Sequence, residues 1–173
     1  MHDVAHYSTR EQLRDGSPIT IRALKPQDRE ELVAAAGRLS PRSLYRRFFG
    51  PKRSFSKAEV SYFVDIDFER HVALVATSEQ RGRPTIIAGA RYIVVSPGEA
   101  EVAFIVADAW QNRGIGTRLL RHLAAQAREA GISTFIADVL PDNLGMLKVF
   151  EKSGMHIRRK QEAGSVHLTM QLA

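Results

Sequence analysis

The stretch from Glu99 to Ala130 constrains this chain more than any other, because an apolar strand runs through a short glycine-bearing loop into a long helix with one apolar face. Glu99 to Val106 is rich in β-branched residues, and Ile115, Leu119, Leu120, Leu123, Ala127 and Ala130 recur at helical spacing, with Gly131 as a stop. A strand feeding a helix N-terminus in this way belongs to mixed α/β domains, where sheet and helix bury their apolar faces against each other. The junction is also an anion site. First-turn amides lack intrahelical partners, the helix dipole places partial positive charge there, and glycine lets an anion approach the backbone. Arg113 adds a guanidinium for a charge-assisted contact.

The rest of the chain arranges itself around this unit. Ile19–Leu24 predicts an opening strand and Asp28–Leu39 a helix, while Met1–Pro18 reads as a flexible tail. Ser40 caps a second helix with Pro41 at its first position, and Phe55–Val64 gives a third capped near Ser56. His71–Thr77, Thr85–Val95 and Glu99–Val106, separated by turn segments, predict an antiparallel three-stranded meander. Beyond the long helix come a strand at Thr134–Leu140, a helix entered through Pro141-Asp142-Asn143, and two strands at Met155–Lys160 and Val166–Leu172. Residues 19–173 therefore predict a single α/β domain with one central sheet, which 173 residues at 44% hydrophobic content suffice to pack.

Several chemistries are excluded. The chain has no cysteine, which removes disulfides, thiolate zinc sites and a cysteine acyl-enzyme, and no H-E-x-x-H or comparable metal spacing occurs. Leu119 stands where a dinucleotide-binding loop needs its third glycine, and no Gly-Lys-Ser or Gly-Lys-Thr marks a P-loop. By spacing alone, Gly114 and Gly116 serve either an anion site or a tight turn that brings helices together. The net charge of +6 has part of its source in Arg38, Arg42, Arg46, Arg47, Lys52 and Arg53, a run with no acidic residue that suits a phosphate, an acidic surface or plain solvation. Few aromatics and no helix-turn-helix or RNP signature argue against nucleic acid as the partner. No apolar run is long enough for a membrane helix, and the polar start lacks a signal-peptide core, so the cytoplasm is expected.

Gln111-Asn112-Arg113-Gly114-Ile115-Gly116 resembles the pyrophosphate loop Gln/Arg-x-x-Gly-x-Gly/Ala of the GNAT superfamily of N-acetyltransferases, and it follows an apolar strand as in that family. Asp142-Asn143 and Phe150-Glu151-Lys152-Ser153-Gly154-Met155 resemble the family's second signature, an asparagine-opened helix ending in Tyr-x-Lys-x-Gly-Phe. Leu39–Phe49 and Glu101–Val106 are similar to segments of bacterial Pat-type protein-lysine acetyltransferases, whose attached regulatory or synthetase-like domains have no counterpart here. The resemblance implies a mixed, mostly antiparallel sheet of about six to seven strands flanked by helices. It also implies acetyl-CoA as co-substrate, no metal, and direct transfer to an amine. That amine is a protein lysine by the Pat likeness, and the basic run Arg38–Arg53, placed beside the acceptor groove of that fold, would suit an acidic protein partner such as an acyl-CoA synthetase; a small amine is the rival.

The resemblance further implies that the backbone of Phe104, Ile105 and Val106 pairs with the pantetheine arm. Gln111, Asn112, Arg113, Gly114, Ile115, Gly116 and Thr117 would hold the pyrophosphate, with Asn143 and Met146 alongside the arm. Glu101 is the candidate general base, working from partial burial, because an attacking lysine with a pKa of about 10.4 must lose a proton. A surface glutamate beside Glu99 is the competing reading, as an N-cap is for Asn143. Phe150 stands where family members carry an acidic tyrosine, which leaves Tyr45, Tyr92 or water to protonate the thiolate, or else a catalytically weak acyl-CoA-binding module. His122 and Lys148 read as solvent-facing, and His2 and His6 as part of the tail.

Overall fold

The computed structural model describes residues 3–50, 52 and 54–172. Eight strands are formed: β1 Ser8–Gln12, β2 Pro18–Ala23, β3 His71–Gln80, β4 Arg83–Ser96, β5 Glu99–Val106, β6 Thr134–Val139, β7 His156–Glu162 and β8 Ser165–Gln171. They make one sheet in the order β1-β2-β3-β4-β5-β6-β8-β7. Every neighbouring pair is antiparallel except β5 with β6. The helices among the described residues are α1 Arg29–Gly37, α2 Pro41–Phe48, α3 Lys57–Val64, α4 Ile115–Glu129 and α5 Leu144–Glu151. The predicted meander is β3-β4-β5, and the predicted α/β architecture is present.

The caps act as read. Ser40 Oγ accepts from the Ser43 amide at the start of α2, and Ser56 forms a reciprocal capping box with Glu59 at α3. The sheet separates two helical layers. On one face α4 buries Leu119, Leu120, Leu123 and Ala127 against Val72, Leu74, Ala90, Tyr92 and Val102. On the other, Leu32 and Ala35 of α1 pack over Leu24, Ala73, Val75 and Ile86. Strand β3, covered on both sides, accordingly carries an unbroken apolar run from Val72 to Ala76.

The N-terminal segment departs from expectation. Residues 8–12 are not a tail but an edge strand, paired with β2 from Ser8 opposite Arg22 to Gln12 opposite Pro18. Val4 and Leu13 anchor it in the main core. His122, read as solvent-facing, is mostly buried beneath it, where it accepts from the Tyr7 hydroxyl at Nδ1 and bonds Glu11 through Nε2 at 2.9 Å. His2 and Arg53 lie outside the described residues. No helix among the described residues is long and apolar enough to cross a membrane.

Candidate active site

Strands β5 and β6 run side by side only from Glu99 to Glu101, opposite Thr134 to Ile136. Beyond that point β5 stays with β4 to Val106, while β6 stays with β8. The two strands therefore part, and a cleft of about 270 Å³ opens between them, lined on β5 by Glu101 to Phe104, on β6 by Ala137 to Val139, and by Arg46, Asn143, Met146 and Phe150. Ladder parity decides which peptide groups face it. Ala107 N–H donates to Ile87 O at 2.8 Å, so the period of two turns Ala103 and Ile105 toward β4, and Val102, Phe104 and Val106 toward the gap. Of the three backbone candidates, Ile105 thus spends its peptide groups on β4. Phe104 keeps its own on the cleft side, and Val106 O accepts from Gln111 Nε2 at 3.0 Å.

The loop before α4 holds an unusual backbone: Asn112 has φ 63° and Gly114 φ 88°, both left-handed. Arg118 N–H is bonded to Gly114 O, which leaves the amides of Ile115, Gly116 and Thr117 as the first-turn donors. Arg113 lies over the Trp110 ring at 4.7 Å and 3.7 Å from Asp15. Gln111 is turned inward, bonding Ser43 Oγ as well as Val106 O, and acts as a strut between α2, β5 and the loop. Asp108 completes that strut, accepting from Ser40 N–H and Ser43 O–H; these bonds hold its carboxyl below the usual range. A Cβ on Gly116 would sit 3.2 Å from Val149 Cγ2, so this glycine meets the demand of α4–α5 packing, the competing reading of the loop.

Asn143 Oδ1 accepts from Met146 N–H at 3.3 Å and so caps α5, while its residue also borders the cleft. Phe150 is buried, edge-to-face against Phe104 with centroids 5.6 Å apart. Glu101 is exposed at the cleft rim instead of partly buried. Tyr92 is eliminated as a proton donor: it is buried in the core under α4, and burial pushes its phenol up to about 12. Among the described residues no cluster of three or more His, Cys, Asp or Glu could hold a metal.

The basic run does not form one surface. Arg38 pairs with Glu31 at 3.0 Å and Lys52 with Glu59, while Arg46 donates to Asp142 O at 3.2 Å. Among the described residues Arg46 Nε has no hydrogen-bond partner; it is a buried nitrogen in the wall of the cleft, 4.0 Å from Asp142 Oδ1. Arg47 turns inward between the cleft and a second, apolar pocket of about 110 Å³ beneath α1 to α3. Arg91 on β4 reaches the same pocket and donates from Nη1 to Phe63 O at 3.0 Å and to His71 Nε2 at 2.9 Å. Burial lowers all three groups: Arg47 below its usual range, against the pull of Glu101; Arg91 to about 9, with repulsion from Arg47; and His71 to about 4 beside Arg91. Sequence patterns gave no role to Arg91 or His71; the signal was a cation inside the apolar run Ile86–Val95.

Comparison with known proteins agrees with this geometry. Residues 40–155 match the acetyltransferase (GNAT) family. The chain is 34% identical over 145 residues to acetyltransferase Pat of Mycolicibacterium smegmatis, covering 83% of this chain but 43% of that protein. The GNAT domain of S. lividans PAT superposes with a TM-score of 0.86 at 40% identity, covering 95% and 96% of the two chains. A cAMP-binding acyltransferase from Mycobacterium smegmatis superposes at 0.66 with 29% identity, over 98% of this chain and 48% of that one. The chain thus spans less than half of these mycobacterial relatives, and it belongs to the GNAT family of acetyltransferases.

Proposed function

We propose that this domain transfers the acetyl group of acetyl-CoA directly to an amine, with a protein lysine as the acceptor. The observation that carries the reading is the parting of β5 and β6 beside the α4 N-terminus, with Glu101 at its rim. The cleft suits a pantetheine arm, because the Phe104 peptide groups face it and the buried Arg46 Nε has a donor to offer. The phosphates would meet the free amides of Ile115 to Thr117, with Arg113 beside them. Asn112 and Gly114 shape that loop, Gln111 braces it, and Asn143 and Met146 border the arm.

Acetyl-CoA supplies a reactive thioester; the chain supplies orientation and proton transfer. Glu101 shares its strand face with Ala103 and Ile105, on the side of α1 to α3, whereas the loop opens α4 on the other side. The amine therefore meets the thioester from the face opposite α4, where Glu101, directly or through a water, accepts its proton. Phe150 has no proton to give and Tyr92 is walled off, so the departing thiolate takes its proton from water, as its modest basicity permits, or from the exposed Tyr45. The lysine reading rests on the Pat-like segments, and the cytoplasm is the matching setting. Thiol release with acetyl-CoA against matched panels of small amines, peptides and intact acyl-CoA synthetases tests it. Release with protein lysines supports the reading, release only with small amines transfers it to the rival substrate, and none at all leaves an acyl-CoA-binding module.

A further inference from the structure

The pocket under α1 to α3 combines an apolar wall with two cations that no carboxylate of the described residues ion-pairs, Glu101 attracting Arg47 only at longer range. Leu32, Leu39, Phe48, Phe55 and Phe63 contribute to the wall, and Arg47 and Arg91 reach into it. Both guanidiniums lie beside the same Phe63 ring, with Arg91 Cζ 4.9 Å and Arg47 Cζ 5.8 Å from its centroid. Among the described residues neither is ion-paired with a carboxylate. Among the described residues Arg91 uses only Nη1, for Phe63 O and His71, and Arg47 makes no hydrogen bond, only ring contacts and the longer-range attraction of Glu101. Aromatic faces soften a positive charge without balancing it, and two like charges held together in an apolar pocket raise the cost of each.

We propose that Arg47 and Arg91 form a subsite for a carboxylate carried by the amine acceptor. A carboxylate balances charge and accepts the planar fork of a guanidinium through two oxygens. The pocket, at about 110 Å³, has room for that group on a short apolar stem. The carboxylate belongs to the acceptor and not to the acyl donor because of the faces. Arg91 stands opposite Ala103 and Ile93 opposite Glu101 across β4 and β5, so Glu101 and Arg91 are diagonal neighbours on one face, about 7–8 Å apart and somewhat closer at their Cβ atoms. The donor's phosphate end enters from the α4 side. An amine at Glu101 and a carboxylate at Arg91 thus span one ligand, either a free ω-amino acid or a lysine with an acidic side chain close by. This inference rests on the transferase reading above and names the acceptor class of that same site.

The test uses acceptors matched except for the carboxylate: 4-aminobutyrate against its amide, and a lysine peptide with adjacent glutamate against the same peptide with glutamine. Thiol release should favour the acid over the amide by about 10-fold or more in kcat/KM in at least one pair. Which pair responds identifies the source of the carboxylate. The preference should collapse to within about 2-fold in Arg47→Gln and Arg91→Gln, and survive in part in Arg91→Lys, which keeps the charge and loses the fork. A role confined to holding Phe63 and His71 in place would lower rates on both members of a pair and leave their ratio alone. Calorimetry with butyrate against butyramide gives a readout that needs no turnover, with tighter butyrate binding that Arg91→Gln removes. Equal rates within every pair and equal binding of the two probes overturn the subsite while acetyl transfer stands. Absence of thiol release with every acceptor overturns the transferase reading, and the calorimetric arm then still decides the subsite.

Discussion

Gly116→Ala sets two opposed effects against each other at the mouth of the site. The new methyl would stand 3.2 Å from Val149 Cγ2, inside ordinary contact distance, so α4 and α5 must shift by a few tenths of an ångström. Overpacking of this kind costs about 1–3 kcal/mol. Replacing glycine within a helix returns up to about 1 kcal/mol. The single variant is therefore destabilised by about 1 kcal/mol, a fall in Tm of roughly 2–4 °C for a domain of this size. Because α5 carries Asn143, Met146 and Phe150 into the cleft, its acetyl-CoA affinity should fall as well. The decisive background is Val149→Ala. There the opposing methyl is gone, and adding Gly116→Ala should raise Tm and restore affinity to that of Val149→Ala alone. Thermal unfolding and acetyl-CoA calorimetry on the four proteins of the cycle measure both. If Gly116→Ala destabilises equally in both backgrounds, or affinity stays lost when Val149 is trimmed, the glycine serves phosphate approach and the packing argument is wrong.

Two further outcomes follow from named contacts. Asp108→Ala removes the acceptor of Ser40 N–H and Ser43 O–H; at an exposed position this costs about 1 kcal/mol, and acetyl-CoA affinity should drop because α2 carries Arg46 and Arg47, whereas unchanged Tm and affinity would show the strut to be idle. Asp28 is pushed up by burial but held lower by two 2.8 Å bonds from Arg22 and by the Lys25 amide, so its contribution is present above the unfolded carboxylate pKa of about 3.9 and lost as pH falls through the lower folded value. Arg22→Met should therefore lower Tm most at neutral pH, with the gap to wild type narrowing below about pH 4; a gap constant from pH 7 to 3 would contradict this.

What the sequence revealed and what it hid divide along physical lines. Helix α4 and strands β3 to β5 were readable because periodic apolar residues face a core, and Ser40 and Ser56 because capping is a local act of a few neighbouring residues. Strand β1 was hidden because Ser-Thr-Arg-Glu-Gln has no apolar side chain and is held at a sheet edge by backbone pairing and by Glu11 bonding His122. The cleft was legible as a loop motif but not as a parting of strands, which depends on where β6 stops following β5. Gln111 lies in the loop before α4 and Asn143 at the start of α5 beside the cleft, and their side chains bond the protein itself, a choice made by tertiary geometry. Arg47 and Arg91 were hidden because an arginine reads as surface until its neighbours are known.

The central claim is that Glu101 takes the proton of an amine attacking a thioester held between β5 and β6. Thiol release by Glu101→Gln followed from pH 7 to 10, with acetyl-CoA affinity measured on the same protein, tests it most directly. The account predicts affinity within about 2-fold of wild type and a kcat lower by about 10²-fold at neutral pH. That deficit should shrink as pH approaches the lysine pKa of about 10.4, where the amine sheds its proton unaided. A deficit that stays constant with pH, or that is matched by lost acetyl-CoA affinity, would contradict the claim and leave Glu101 a structural residue of the cleft rim.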